Sequence, residues 1–364
     1  MKYLYLISHP AHFHMFKFSM KELEKKGHTI IAVIRPKDVL EQLCIDYKLD
    51  FIKIKNRPKR FGLLGLGLAL IEKDIEILRI VNKHKPDLLL GSDGTLARVG
   101  TLKGIPSFEF NEDDAEAIKL YAITSFPFYT HIVCPEVTSA WKWENKKIGF
   151  NSYHELAYLH PNQFTPDKNV VKRYFNPDEN YFVIRFAKLT AHHDTGISGI
   201  TNDIAAKIIE ILKPHGQIII TAEREILPEF EQYRIKINPL DMHHVMAFAD
   251  VYIGDSQTMA AEAGVLGTPF VRFNDFVGRL EYLNELENKY KLGYGHKTSD
   301  VNGMYNSIKE LIKTKNRKEI FLTRRQKMLS EKIDYAQFQT WFIENYPESA
   351  KIMRKNPDYQ YKFR

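Results

Sequence analysis

The sequence predicts an α/β protein made of two doubly wound, parallel-sheet domains in tandem. Three observations predict it: short β-rich runs alternate with longer helical patterns, the alternation breaks between about residues 149 and 180, and it then starts again. Strands separated by helices pair in parallel through right-handed crossovers. A chain of 364 residues has room for two cores, and its 44% apolar and 27% charged shares are those of a globular protein.

In the first half, residues 2–7 read as a strand and 15–26 as an amphipathic helix, with Gly27 where a glycine closes a helix. A strand at 29–34, a helix at 38–47 and a strand at 51–54 follow. The helical pattern of 71–84 stops at Pro86, before a strand at 87–91. A helix at 95–103 and strands at 105–110 and 131–134 complete this half. Pro161, Pro166 and Pro177 mark the break as an interdomain segment. The rhythm resumes with a strand at 181–186, a helix at 200–212, a strand at 217–221 and a short helix at 242–249. Next come a strand at 251–254, a helix at 258–266 and a strand at 269–272, and the chain from 278 on reads as largely helical. The expected division is therefore 1–160, 161–330 and a helical tail, 331–364, that packs back on the first domain. Two such domains place a ligand at the carboxyl ends of their strands, facing an interdomain cleft.

Only Cys44 and Cys134 are present, far apart and without metal-ligand spacing, which fits a reducing compartment. The amino terminus lacks a signal-peptide pattern, and no apolar stretch approaches the roughly 20 residues that span a bilayer. A cytoplasmic protein is expected, either free or peripheral on the inner face of the membrane. The net charge of +7 is unevenly spread, with clusters at 53–60 and in the last fourteen residues. No zinc-finger spacing, RNP-like aromatic motif or basic heptad region accompanies it, so no nucleic-acid partner is expected. Residues 53–71 join this charge to an apolar run with three glycines. They read either as a surface for an anionic membrane and a lipid-linked acceptor, or as a buried helix with a basic flank.

The most informative stretch is 251–271. A buried strand ends at Gly254 and a helix begins within a few residues, capped by Asp255 or Ser256. The free N–H groups of Gln257, Thr258 and Met259 and the helix dipole suit a diphosphate, and the Ser256 and Thr258 hydroxyls add hydrogen bonds. Glu262 lies four residues past Thr258, on the same helix face, where a carboxylate can accept both hydroxyls of a ribose. The alternative is a helix that Ser256 merely caps.

Asp255-Ser256-Gln257-Thr258, then Glu262, then Gly267-Thr268-Pro269 resembles the donor-binding signature of GT-B glycosyltransferases and of non-hydrolysing UDP-GlcNAc 2-epimerases. The turn lacks the paired glycines many members carry. The resemblance implies a GT-B fold and a nucleotide-sugar ligand, with no further cofactor and no obligatory metal.

Arg185 and Lys188 end the first strand of the second domain, where phosphates are expected. His192, His193 and Asp194 follow on a loop, and His192 can serve as an acid–base group. Thr190-Ala191-His192 is similar to the epimerases' Thr-x-His, without the Arg and Glu-Asn that follow it there. His243 and His244 read as cap or surface residues; the four paired histidines lack a converging carboxylate or Cys, so no metal site is assigned.

In the first domain, Ser8 to His14 occupies the turn after the first strand. It resembles the opening His-Pro-Ala-His loop of an uncharacterised prokaryotic GT-B family, which makes His12, then His9, the candidate for contact with the reacting sugar. Gly91-Ser92-Asp93-Gly94-Thr95 resembles the epimerases' Gly-Asp-Thr, and Glu109 stands where those enzymes carry a Glu. Asp93 reads either as a general base or as the cap of the next helix. The resemblance implies a glycosyltransferase that moves a sugar from a UDP-sugar to a saccharide or lipid-linked hydroxyl acceptor. The alternatives are an epimerase using Asp93, Glu109 and His192, or a non-catalytic sugar-nucleotide-binding protein.

Overall fold

The computed structural model describes residues 1–37, 39–55, 62–187 and 199–364. The chain forms two compact units, one of Met1–Tyr158 with Ile333–Arg364, the other of Leu159–Lys332.

The first unit runs β1 (Lys2–Ile7), α1 (Pro10–Lys25), β2 (Thr29–Ile34), α2 (Leu40–Asp46), β3 (Ile52–Lys53), α3 (Gly62–His84), β4 (Leu88–Gly91) and α4 (Gly94–Lys103). It continues with β5 (Ser107–Phe110), α5 (Lys119–Ser125), β6 (His131–Pro135), β7 (Lys147–Phe150) and the short α6 (Leu156–Leu159). Its sheet has the order β3-β2-β1-β4-β5-β6-β7 with every pairing parallel. The order reverses between β1 and β4, so the turns after these two strands flank the switch point. Tyr3 to Ile7 and Leu88 to Leu90 are fully buried, because helices cover a parallel sheet on both faces and its strands read as continuous apolar runs. β4 closes on Gly91, where an added Cβ would stand 2.7 Å from the backbone oxygen of Leu6.

The second unit holds α7 (Lys168–Val171), β8 (Tyr181–Phe186), α8 (Asn202–Leu212), β9 (Gln217–Ala222), α9 (Met242–Phe248), β10 (Val251–Gly254), α10 (Gln257–Leu266) and β11 (Phe270–Phe273). It ends with α11 (Glu281–Asn284), β12 (Gly293–His296), α12 (Val301–Lys313) and α13 (Arg317–Glu331). Its parallel sheet has the order β12-β11-β10-β8-β9, with the switch point between β8 and β10. The chain then returns to the first unit as α14 (Tyr335–Glu344) and α15 (Glu348–Lys355). Phe342 packs its ring 5.5 Å from Phe108, Glu344 pairs with Lys26, and the Ile333 N–H donates to the Asn151 carbonyl.

Four local expectations are corrected. α1 begins at Pro10, not at 15, because His9 takes an extended N-cap conformation and its Nδ1 accepts the Ala11 N–H; His12 is therefore helical, not part of a loop. α3 begins at Gly62, so the apolar run before residue 71 is helix. β7 follows the strand expected to be the last of this half and runs into the stretch assigned to the interdomain segment, and β12 stands inside the stretch read as helical. Gly293-Tyr294-Gly295-His296 carries little strand propensity, and its pairing with β11 makes it a strand. No helix among the described residues is long and apolar enough to cross a membrane.

Candidate functional site

In the second unit, the turn after β10 enters α10 at the switch point. Ser256 is the N-cap (φ −82, ψ 124), and its Oγ accepts the Met259 N–H at 3.4 Å while its carbonyl accepts the Ala260 N–H at 3.2 Å. Met259 is thereby removed from the expected set of free donors. The N–H groups of Gln257 and Thr258 have no partner among the described residues. Capping leaves these two donors open, because one hydroxyl satisfies only one of the donors a helix start exposes.

Asp255 does different work. Its carboxylate accepts the N–H groups of Ala187 at 2.6 Å and Ile200 at 3.2 Å, latching the chain after β8 to the turn after β10. Burial raises its carboxyl to about 6 against these bonds. Gly254 gives the turn its close approach: an added Cβ would stand 2.5 Å from the Tyr252 hydroxyl and 3.0 Å from Arg185 Cβ. Arg185 ends β8 and pairs with Glu223, which follows β9. Its Nε and the Thr221 hydroxyl are buried without partners among the described residues. Lys188 and His192, with Thr190, His193 and Asp194, lie outside the described residues.

Glu262 is only 6% exposed, and its Oε1 stands 3.0 Å from His243 Nε2. The surface reading of His243 is corrected: it is buried, in the first turn of the helix that precedes β10, and it stands against one oxygen of Glu262. His244 is part-exposed, and its Nδ1 accepts the Asp167 N–H at 3.0 Å. The His243–Glu262 pair is not legible in the sequence, because the two side chains are nineteen residues apart on different helices.

In the first unit, the two helix starts at the switch point expose fewer donors, with the Gly94 N–H of α4 left without a partner among the described residues. At α1, Pro10 has no N–H, His9 Nδ1 takes that of Ala11, and the His9 carbonyl takes those of His12 and Phe13. At α4, Asp93 is the N-cap and accepts the Thr95 N–H at 3.1 Å, while the Asp93 N–H donates to the Tyr129 hydroxyl. Asp93 also pairs with Lys73 of α3. Burial pushes its carboxyl up, but Lys73, Arg35 and the Thr95 N–H outweigh this and hold it at about 2. Asp93 is thus a cap and a fixed negative charge, and a weak proton acceptor. Glu109, at the end of β5, behaves oppositely. It is fully buried, burial raises it to about 8, and it accepts from Ser92 at 3.0 Å and Tyr121 at 2.9 Å.

His12 is part-exposed; burial and the nearby His9, Lys37 and Arg35 lower it to about 3, so the ring is neutral, while the Asp93 charge works the other way. Two groups were missed from the sequence. Lys73 is one of two lysines on an amphipathic helix, and His154 falls in the stretch assigned to the interdomain segment. Among the described residues, no three His, Cys, Asp or Glu converge as metal ligands.

Among solved structures, the chain is similar to a putative UDP-N-acetylglucosamine 2-epimerase from Listeria monocytogenes, with a TM-score of 0.68 at 11% identity over 98% of this chain and 97% of that one. It is also similar to S. aureus MnaA in a co-structure with UDP (TM-score 0.65, 13% identity, 98% and 97% covered). MurG of Acinetobacter baumannii gives a TM-score of 0.57 at 13% identity, with 94% and 99% covered. The fold is GT-B, with two parallel-sheet α/β units, as the sequence predicts. No curated protein matches the sequence. A family model described as "Protein of unknown function (DUF354)" matches residues 3–336, and the chain belongs to that family.

Proposed function

We propose that the chain is a glycosyltransferase that moves a sugar from a nucleotide-diphosphate donor, a UDP-sugar, to a hydroxyl acceptor in surface polysaccharide or glycolipid synthesis. The observation that carries this reading is the pair of free N–H groups, Gln257 and Thr258, at a Ser256-capped helix start on the switch point of the second unit. Fixed amide donors stabilise the charge that develops on a departing diphosphate and need no reorganisation as it forms. Arg185, Lys188 and the Ser256 and Thr258 hydroxyls add to them. Glu262, whose Oε1 stands 3.0 Å from His243 Nε2, takes the ribose hydroxyls. The acceptor oxygen attacks the anomeric carbon, the bond to the diphosphate oxygen breaks, and the acceptor proton passes to a base.

The first unit supplies that base. Of its groups, His12 is neutral and part-exposed, whereas Asp93 is held by Lys73 and stabilises a protonated imidazole by its charge. His192 is the second acid–base candidate. Leu68, Leu70, Ile71 and Ile75 are exposed on α3, which supports a lipid-linked acceptor met at the cytoplasmic membrane face. No metal or further cofactor is assigned.

The opposed acidities of Asp93 and Glu109 favour one second reading, a 2-epimerase, because a proton donor and a fixed anion on one sheet edge suit elimination and re-addition. Incubation with UDP-GlcNAc alone separates the two: an epimerised sugar, or UDP released without acceptor, selects the epimerase. For the transferase, Glu262→Ala weakens UDP binding in calorimetry by about 1–3 kcal/mol. Unchanged affinity removes the ribose role, and no binding of any nucleoside diphosphate to the native protein removes the function.

A further inference from the structure

The carboxyl edge of the first sheet holds two imidazole nitrogens with an unexplained burial. His12 Nδ1 and His154 Nε2 are both out of reach of solvent, and neither has a hydrogen-bond partner among the described residues. A buried nitrogen without a partner loses the hydrogen bond it had in water, so two in one region ask for a common solution.

The two rings belong to one neighbourhood. Tyr158, four residues past His154, packs its ring 5.1 Å from His14 of α1, so the segment after β7 lies against the first turns of α1. His12 and His154 are close enough that a charge on one disfavours a charge on the other. His154 is also held firmly. Its ring stacks on Phe150 and Tyr335, with interplanar angles of 21° and 24°, and its Nδ1 stands 3.4 Å from Glu112 Oε2. The negative charge of a carboxylate 3.4 Å from Nδ1 favours the proton of a neutral imidazole there and leaves Nε2 as a lone pair.

We propose that His154 is a positioning residue that sets the tautomer of His12. The Glu112 charge keeps the His154 proton on Nδ1, and His12 Nδ1–H donates to one enclosed water that in turn donates to His154 Nε2. The lone pair of His12 then lies on Nε2, the ring nitrogen that is not enclosed. Glu112, His154 and His12 form a line from the ends of β5 and β7 to the first turn of α1. Its catalytic meaning, an imidazole ready to accept the acceptor's proton, rests on the transferase reading. The tautomer does not.

The test uses the full chain labelled with 15N-histidine, with the His12 signal identified by its loss in His12→Gln. Long-range 1H–15N spectra at pH 7.5 are expected to show His12 protonated at Nδ1. His154→Phe keeps an aromatic ring beside the stacked Phe150–Tyr335 pair but removes the acceptor, and it is expected to move the His12 proton to Nε2. His154→Gln, whose amide oxygen can accept, restores Nδ1–H at least in part, and also serves if the Phe variant does not fold. With a donor and acceptor in hand, His154→Phe lowers kcat on the order of 10²-fold while the donor KM stays level. A His12 protonated at Nε2 in the native protein, or a tautomer unchanged in His154→Phe, overturns the proposal. If the tautomer shifts but no sugar transfer is found, the relay stands and the transferase reading fails.

Discussion

Gln257→Pro tests the diphosphate site through the backbone alone. Proline is tolerated at the first position of a helix, where the missing N–H has no intrahelical partner. The first helical bond of α10 runs from Ala260 N–H to the Ser256 carbonyl, so none is lost. The residue before a proline must be extended, and Ser256 already is, at φ −82 and ψ 124. The folded state therefore changes little, and any stability effect is a gain of about 0.4–1 kcal/mol through the unfolded chain. Measured against Gln257→Ala, which removes the side chain alone, what disappears is one N–H that on this reading meets a phosphate oxygen. Hydrogen bonds to charged groups contribute about 1.5–3 kcal/mol, and each 1.4 kcal/mol is about tenfold in Kd. Titration calorimetry should show UDP binding weakened about 10- to 150-fold. Uridine, which has no phosphate to meet this N–H, should bind both proteins alike. A folded variant that binds UDP as tightly as the native protein refutes the placement of the diphosphate at this helix start.

Two further predictions concern the first unit. Lys73→Met leaves the enclosed Asp93 carboxylate without its cation and should cost about 3–5 kcal/mol in denaturant unfolding; adding Asp93→Asn should recover most of it, and a loss that the second change does not repair counts against the pair. Glu109 has a folded pKa raised to about 8 against about 4.3 in the unfolded chain. The unfolded chain ionises it first, so its contribution is complete below about 4.3 and falls away as pH rises toward about 8. Thermal melts across that window should decline with pH in the native protein and less steeply in Glu109→Gln; parallel profiles would mean that Glu109 is already ionised at low pH.

Sequence by itself determined the two α/β repeats, because the apolar runs of covered parallel strands and the periodicity of their helices are local patterns. It also placed the start of α10, since a strand, a small polar cap and a helix follow one another within a few residues. Elements carried by pairing alone were hidden: β7 and the glycine-containing β12 are strands because β6 and β11 lie beside them. The site divides in the same way. Ser256, Gln257 and Thr258 were readable because a helix start is built from neighbours in sequence. Tertiary structure alone decided that His243 holds Glu262, that Lys73 claims Asp93 and holds its carboxyl down, and that burial raises Glu109. A carboxylate's proton affinity is set by the charges and solvent around it, and those come from residues tens of positions away in the chain.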